Sequence, residues 1–553
     1  MKTKLGDLLL DSGIINQEQL EEALSEQKKV NFFQKPKLGE ILIKKEYITE
    51  IQLAEIVARQ LGMPYCRLDR DKPTNDAVKL LKKEDAERLK CIPIMVEGNT
   101  LTVAMSDPFD INAQDELRRI TGLNLRVAIT TATDIKNNIE KIYDIQVNLT
   151  DAVSEVEEFE RKYGAKGGVV ADDNTNVSRL VWGFLNNAVR EGASDIHLEC
   201  YEDVAWVRYR IDGRLSIGTE YPKSLHRIIS SKLKNMSGMD MAETRKPQDG
   251  RLLLKIDGRQ IDFRVSSLPT LSGEKIVLRI LDQESAMVGL ERLGLGENDM
   301  KQILKFCEIP WGILLVTGPT GSGKSTTLYS MLHRMNKPDV NITTVEDPVE
   351  FTVKAINQVH VNEKAGMTFP NALRSILRQD PDKIMIGEIR DGETAQIAIR
   401  SALTGHLVLS TLHTNDAPST PSRLIDMGIP PFLVANSLVG IIAQRLVRRL
   451  CPYCKQELIV DARTSKDSGI PEGTKIWSPK GCNSCRGGYK GRIGLYEIMP
   501  ITPEIRHEIM KATSDEGIRA AGTAAGMTTL RDAGIRAVLN GYTSLEEVMT
   551  ATI

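Results

Sequence analysis

No stretch of the chain approaches the ~18 consecutive apolar residues of a membrane span. A signal-peptide pattern is missing as well. The opening MKTKLGDLLLDSGII carries two lysines, but its apolar run breaks on Asp and Gly, and no small-residue cleavage site follows. Excess charge of one sign is absent: 72 Lys and Arg against 74 Asp and Glu leave a net charge of -2. That balance argues against binding a polyanion through bulk charge. Hydrophobic residues make up 41% and charged residues 26%, ordinary globular usage that excludes a disordered, collagen-like or fibrous chain. The expected compartment is the cytosol, so the eight cysteines are expected as thiols or metal ligands rather than disulfides. At ~100–200 residues per domain, 553 residues allow three to five domains.

An internal repeat is present. Residues 4–27, KLGDLLLDSGIINQEQLEEALSEQ, return at 37–60 as KLGEILIKKEYITEIQLAEIVARQ, with no gap. Each copy reads as a short helix, a tight turn and a longer amphipathic helix, with Leu20, Ala23, Leu24 and Gln27 on one face. Two copies are too few for a solenoid, so residues 1–64 are expected as a paired helical module. Residues 65–150 read as an α/β subdomain with a strand pair (CIPIMVEG, NTLTVAMS) followed by two helical stretches. Residues 151–176 have the composition of a flexible linker. A second α/β unit is expected over 177–290, and a chemistry-bearing α/β domain over 291–553.

Residues 318–325, GPTGSGKS, match GxxxxGK[ST] between an apolar run expected as a buried strand (GILLVT) and a helical stretch (STTLYSMLHRM). Strand, glycine loop and helix are what phosphate binding needs. Gly318, Gly321 and Gly323 let backbone amides surround an anion, and the helix start favours negative charge. Pro319, Thr320, Ser322 and Thr326 complete the loop. Lys324 reaches the β/γ-phosphates and Ser325 can ligate Mg²⁺.

The apolar run of KIMIGE ends in Glu388, 64 residues after Lys324, and could hold the Mg²⁺ shell. Gly387 occupies the place where many P-loop enzymes have Asp. In ITTVEDPVE, Glu346, Asp347 and Glu350 crowd one proline. They read either as a solvated acidic loop or as the source of a general base. His406 and His413 flank the apolar run of TGHLVLSTLHT; singly, each reads as a core histidine.

Cys451, Cys454, Cys482 and Cys485 form two CxxC knuckles 27 residues apart. Four thiolates suit a closed, structural tetrahedral Zn²⁺ site; the alternative is four unmetallated thiols. Cys66, Cys91, Cys200 and Cys307 are isolated and expected buried.

Together GPTGSGKST, TTVEDPVE, IMIGEIRD and TGHLVLSTLHTNDA, with ASDIHLE (193–199) and RKPQDGR (245–251), resemble the secretion ATPase superfamily of type II secretion and type IV pili. The resemblance spans essentially the whole chain. It is strongest to pilus assembly (extension) motors, with the type II secretion ATPase as runner-up. It implies a multidomain α/β chain: a RecA-like P-loop motor domain over 291–553, a PAS-like middle domain over 177–290, and ATP between the two. The zinc insert would lie at about 446–495.

The resemblance further implies a homo-hexamer hydrolysing ATP, Glu350 as catalytic glutamate, Glu388 as the Walker B glutamate, and His406 and His413 as the histidine box. Arg264 and Arg279 match the family's arginine fingers; the bland reading is a strand arginine paired with a carboxylate. Implied cofactors are Mg²⁺, held at Ser325 and Glu388, and structural Zn²⁺. Implied partners are an inner-membrane pilus platform protein (PilC-like) and a PilM-like protein, at the cytoplasmic face of the inner membrane. No nucleic acid is expected, although a nucleic-acid translocase is the rival from another class.

The repeat resembles the tandem motif of MshE-type domains that bind cyclic di-GMP, through Lys4, Leu5 and Gly6 and through Lys37, Leu38 and Gly39. It departs in having Lys where the family has Arg, and Glu46 where the first copy has Gly13. A helical docking module is the alternative.

Overall fold

The computed structural model describes residues 5–29, 37–45, 47–68, 71, 73–149, 151–154, 175–282, 289–482, 485–512 and 514–552. Lys4, Glu46 and most of the expected linker lie outside them. The chain divides into two compact units, Met1–Leu252 with Arg264–Arg279 and Leu253–Phe263 with Ile280–Ile553. No helix among the described residues is long and apolar enough to cross a membrane.

In the first unit the repeat forms four helices, Leu5–Asp11, Gln17–Lys29, Leu38–Lys44 and Glu50–Leu61. The first helix of each copy packs on the second helix of the other, around Leu9, Leu20, Ala23, Ile41, Leu42 and Ile56. The repeated glycine has a packing reason. A Cβ on Gly6 would stand 3.1 Å from Leu20 Cδ1, and one on Gly39 would stand 2.6 Å from Leu53 Cδ2. Lys45 of the second copy bridges Glu22 and Glu26 of the first, each at 2.9 Å. Leu24, expected on the buried face, is 37% exposed, because the apolar stripe there narrows to Leu20 and Ala23.

The next layer is a sheet in the order β1-β2-β3, with β1 Cys91–Glu97, β2 Thr100–Met105 and β3 Asn124–Ile129. The hairpin β1–β2 was expected. The third strand was not; it pairs parallel to β2 after the crossover helix Ile111–Thr121. Its NLRVAI is interrupted by the exposed Asn124 and Arg126, so the apolar signal is weak.

The middle region starts with the helix Asn176–Arg190, followed by β4 Asp195–Cys200, β5 Val204–Ile211, β6 Arg214–Pro222, β7 Gln248–Ile256, β8 Arg259–Thr270 and β9 Gly273–Asp282. They form one sheet in the order β6-β5-β4-β9-β8-β7. Cys66, Cys91, Cys200 and Cys307 are buried, as expected.

The second unit is built on a seven-stranded sheet. Its strands are β10 Gly312–Thr317, β11 Ile342–Glu346, β12 Asn357–His360, β13 Lys383–Ile386, β14 Leu407–Leu412 and β15 Leu438–Leu450, with a hairpin of β16 Gln456–Ile459 and β17 Lys475–Ser478 set apart before the last strand, β18 Tyr489–Pro500. The order is β12-β11-β13-β14-β10-β15-β18, parallel except for β18. Strand β10 is buried on both faces: Ile313 and Leu315 join one apolar cluster, Leu314 and Val316 the other. That is why GILLVT is a continuous apolar run rather than an alternating one. In such a sheet ligands sit beyond the carboxyl ends of the strands, and the glycine loop leaves from that end of β10.

Candidate functional site

The loop 318–323 joins β10 to the helix Lys324–Met335. Its first glycine is required. A Cβ on Gly318, at φ 143°, would stand 2.5 Å from the Gln444 carbonyl oxygen and 2.7 Å from Ser322 Oγ. The loop therefore lies against the neighbouring strand β15. Gln444 straps the helix from below, its Oε1 accepting from Thr327 Oγ1 at 2.7 Å. Ser322 is buried, and its hydroxyl makes no hydrogen bond to any described residue.

Lys324 Nζ donates to the carbonyls of Gly318 at 2.8 Å and Pro319 at 3.1 Å. Burial pulls its pKa down to about 8; the charge of Arg445 adds to the effect and Glu388 opposes it. The site thus holds a cation that is short of negative charge, the condition a polyphosphate relieves. Ser325 is exposed in the first turn of the same helix.

Glu388 follows β13. Arg390 Nη2 donates to its Oε1 at 2.5 Å, and His413 Nε2 lies 3.5 Å from its Oε2. The Arg390 pair holds the carboxyl below its usual range despite partial burial, with His413 and Lys324 adding to it. The other terminal nitrogen of Arg390 sits 3.5 Å from Asp347. One arginine therefore ties the acidic segment after β11 to the acid after β13. Gly387 brings β13 and β11 close: its amide donates to Val345 O at 2.8 Å, and a Cβ there would lie 3.3 Å from Glu346 Cα.

The three carboxylates of VEDPVE separate. Glu346 is buried, accepting from Thr344 Oγ1 at 2.6 Å, from Gln358 Nε2 at 3.2 Å and from Tyr329 Oη. It is committed to the fold. Asp347 is exposed beside Arg390, and Glu350 is half-buried on the loop that follows.

The two histidines also separate. His413 follows the end of β14, beside Glu388. His406 precedes its start, seven residues before His413, about 23 Å at a strand's rise. There its Nδ1 lies 3.0 Å from Ser401 O and its carbonyl accepts from Gly312 N, the first residue of β10. Within one chain the fold brings His413 to the phosphate loop's end of the sheet and His406 to the opposite end.

Arg279 lies on β9 with its side chain 58% exposed, and its Nε is 3.1 Å from Asp195 Oδ1. This is the carboxylate-paired arrangement of the bland reading, although the terminal nitrogens make no hydrogen bond to any described residue. Arg264 is half-buried on β8. In the repeat, Leu5, Gly6, Leu38 and Gly39 open the short helices, and Lys37 pairs with Asp107.

The four cysteines of the two knuckles converge, with all Sγ atoms within 4.8 Å of one another. Cys451–Cys482 lie at 3.8 Å, and Cys454–Cys485 and Cys482–Cys485 at 3.6 Å. A tetrahedron with Zn–S of ~2.3 Å has edges of about 3.8 Å, so the donor set fits Zn²⁺. Burial raises Cys454 to about 11. Burial also opposes ionisation of Cys485, but the Cys482 amide draws that thiol below its usual value. The 27 residues between the knuckles are occupied by the β16–β17 hairpin and the helix Ala462–Ser468.

Sequence reasoning missed Arg390, Arg445 and Gln444. Arg390 reaches Asp347, and Arg445 and Gln444 reach the glycine loop and its helix, through strand register rather than spacing along the chain.

The type II/IV secretion system protein family matches residues 170–550, and the MshEN domain matches residues 61–149. The latter range adjoins the repeat and coincides with the β1–β3 layer. The chain is 42% identical to the type IV pilus assembly ATPase PilB of Myxococcus xanthus (strain DK1622), over 100% of this chain and 99% of that one. It is 48% identical to type II secretion system protein E of Dickeya dadantii (strain 3937), over 69% of this chain and 76% of that one. A solved structure of MshE with cdg is 35% identical, covers 25% of this chain and 98% of that one, and has a TM-score of 0.23.

Proposed function

The chain belongs to the type II/IV secretion system protein family, and from that premise we propose that it is the ATPase motor of type IV pilus assembly. It hydrolyses ATP to ADP and phosphate. The observation that carries the reading is the desolvated Lys324 in a glycine loop at the sheet end where β13 and β14 present Glu388 and His413. Pilus assembly is preferred to type II secretion because the Myxococcus xanthus pilus relative matches 100% of the chain and the Dickeya dadantii type II secretion relative 69%.

The loop amides and Lys324 bind the phosphates. Ser325 and the ionised Glu388 are hard oxygen donors that fit Mg²⁺, which when bound neutralises phosphate charge. Glu350 orients and deprotonates the attacking water, since Glu346 is locked into the fold and Asp347 is spent on Arg390. Arg264 and Arg279 offer guanidinium forks to the charge that redistributes on the γ-phosphate, a contribution of ~10³–10⁵ in rate for such fingers. His413 sets the orientation of Glu388. The working form is a homo-hexamer that turns an inner-membrane platform protein, and zinc at the four cysteines is structural.

Glu350→Gln tests the assignment. Turnover should fall about 10²–10⁴-fold, the usual worth of a general base, with ATP binding retained. Unchanged turnover would remove Glu350 from the mechanism.

A second reading concerns the N-terminal region, where the MshEN match supports cyclic di-GMP as a ligand. Gly6 and Gly39 are explained by helix packing and Lys37 by Asp107, so calorimetry with cyclic di-GMP decides between ligand and docking module. Absence of heat at saturating ligand would leave the docking module.

A further inference from the structure

Arg445 lies on β15, two residues past Ala443, which is level with Thr317 at the end of β10. Its side chain returns over the glycine loop. A Cβ built on Gly318 would sit 3.3 Å from Arg445 Nη1 and 2.7 Å from Ser322 Oγ, so a guanidinium and a hydroxyl converge on one point of the loop.

Neither group has a charged partner. Nη1 donates to Gln444 O at 3.2 Å and Nη2 to Asn415 O at 2.7 Å, both neutral carbonyls. No carboxylate among the described residues comes within ion-pair distance of Arg445. The nearest acids are engaged elsewhere. Asp416 is held by Arg519 at 2.5 Å, and buried Glu497 accepts from the amides of Ala417 at 2.7 Å and Leu530 at 3.1 Å. Ser322 Oγ is buried without any partner among the described residues. Buried charges are normally paired, and a buried polar atom left unpaired is costly. Half-buried Arg445 also pushes Lys324 toward its neutral form, so the two cations repel one another.

We infer that Arg445 is a second phosphate-binding cation of the nucleotide site, supplied by the same chain from the strand beside the loop, and that Ser322 shares its anion. The inference rests on the nucleotide reading above and names a binding residue that reading lacks. Through Asn415, Arg445 also reaches the segment that follows His413, whose Thr414 amide donates to Thr317 Oγ1 at 2.9 Å. An anion drawing on Arg445 therefore acts on the two segments that leave β10 and β14.

The test compares the full-length native chain, Arg445→Gln, Arg445→Lys and Lys324→Ala for calorimetric binding of MgATP, KM and kcat, and thermal unfolding without nucleotide. Arg445→Gln should weaken MgATP binding and raise KM about tenfold or more, the worth of a charge-assisted hydrogen bond. Its nucleotide-free unfolding temperature should be unchanged or higher, because an uncompensated charge is removed. Arg445→Lys should recover part of the affinity. Native affinity in Arg445→Gln, with affinity lost in Lys324→Ala, would overturn this inference alone. So would a lowered nucleotide-free unfolding temperature with native affinity, the behaviour of a merely structural arginine, or a Lys variant no better than Gln. A native chain that binds no nucleotide would overturn the underlying reading and this one with it.

Discussion

Arg390 Nη2 lies 2.5 Å from Glu388 Oε1, so the acid that follows β13 is held ionised by a residue two positions further along the same loop. Its second contact, to Asp347, makes it the fastener between two acidic segments that the sequence leaves about 40 residues apart.

Arg390→Ala should therefore release Glu388 toward an ordinary carboxylate pKa. A positioning loss of about 10–100-fold in kcat is expected by analogy with outer-shell partners of metal ligands. The sign on pH is definite. Arg390 depresses the pKa, so its removal should move the acid limb of the kcat profile to higher pH. A pH–rate profile checks this, and an unmoved acid limb would contradict it.

Lys324 gives a second pH signature. Without nucleotide its pKa is about 8, and a bound polyphosphate must raise it. The bound state then holds more proton than the free state at pH above about 8. Affinity for MgATP should be full below that point and decline as pH rises through it, with proton uptake on binding. Calorimetry in buffers of differing ionisation enthalpy measures the uptake; proton release would contradict the assignment.

Elemental analysis should find about one zinc per chain, and Cys451→Ser with Cys454→Ser should remove it. The knuckles are tied to the C-terminal helices through Lys455 Nζ to Gly541 O at 3.0 Å and Arg448 Nη2 to Glu547 Oε1 at 2.6 Å. Limited proteolysis should therefore cut the metal-free variant earlier near its C-terminus. A metal-free native protein would end the zinc reading.

The two repeat glycines should respond differently. Alanine gains up to ~1 kcal/mol of helix propensity over glycine, whereas overpacking costs about 1–3 kcal/mol. At 2.6 Å from Leu53, Gly39→Ala should destabilise the module; at 3.1 Å from Leu20, Gly6→Ala should be near neutral. Urea unfolding of the two variants measures the difference, and equal effects would count against packing as the reason for these glycines.

What was legible in the sequence follows a physical line. The glycine loop and the cysteine knuckles could be read because backbone geometry fixes their residue types within a few positions. The approach of His413 to Glu388 could not, because it depends on β13 pairing with β14 at Ile386 and Ser410. Arg445 was hidden for the same reason, as one arginine in QRLVRRL whose partner loop lies over 120 residues earlier. The histidines show the converse. The resemblance grouped them as one histidine box, but a six-residue strand carries them to opposite ends of the sheet within one chain. Strand β3 escaped because the exposed Asn124 and Arg126 break its apolar run, and Leu24 misled because a helical stripe can narrow at its end.

The most direct measurement is phosphate release by the purified full-length chain with Mg²⁺ and ATP, native and Lys324→Ala side by side. The account predicts turnover by the native chain and none above background in the variant, whose loop has lost its cation. Equal turnover in the two would contradict it, because hydrolysis would then be taking place somewhere other than this loop.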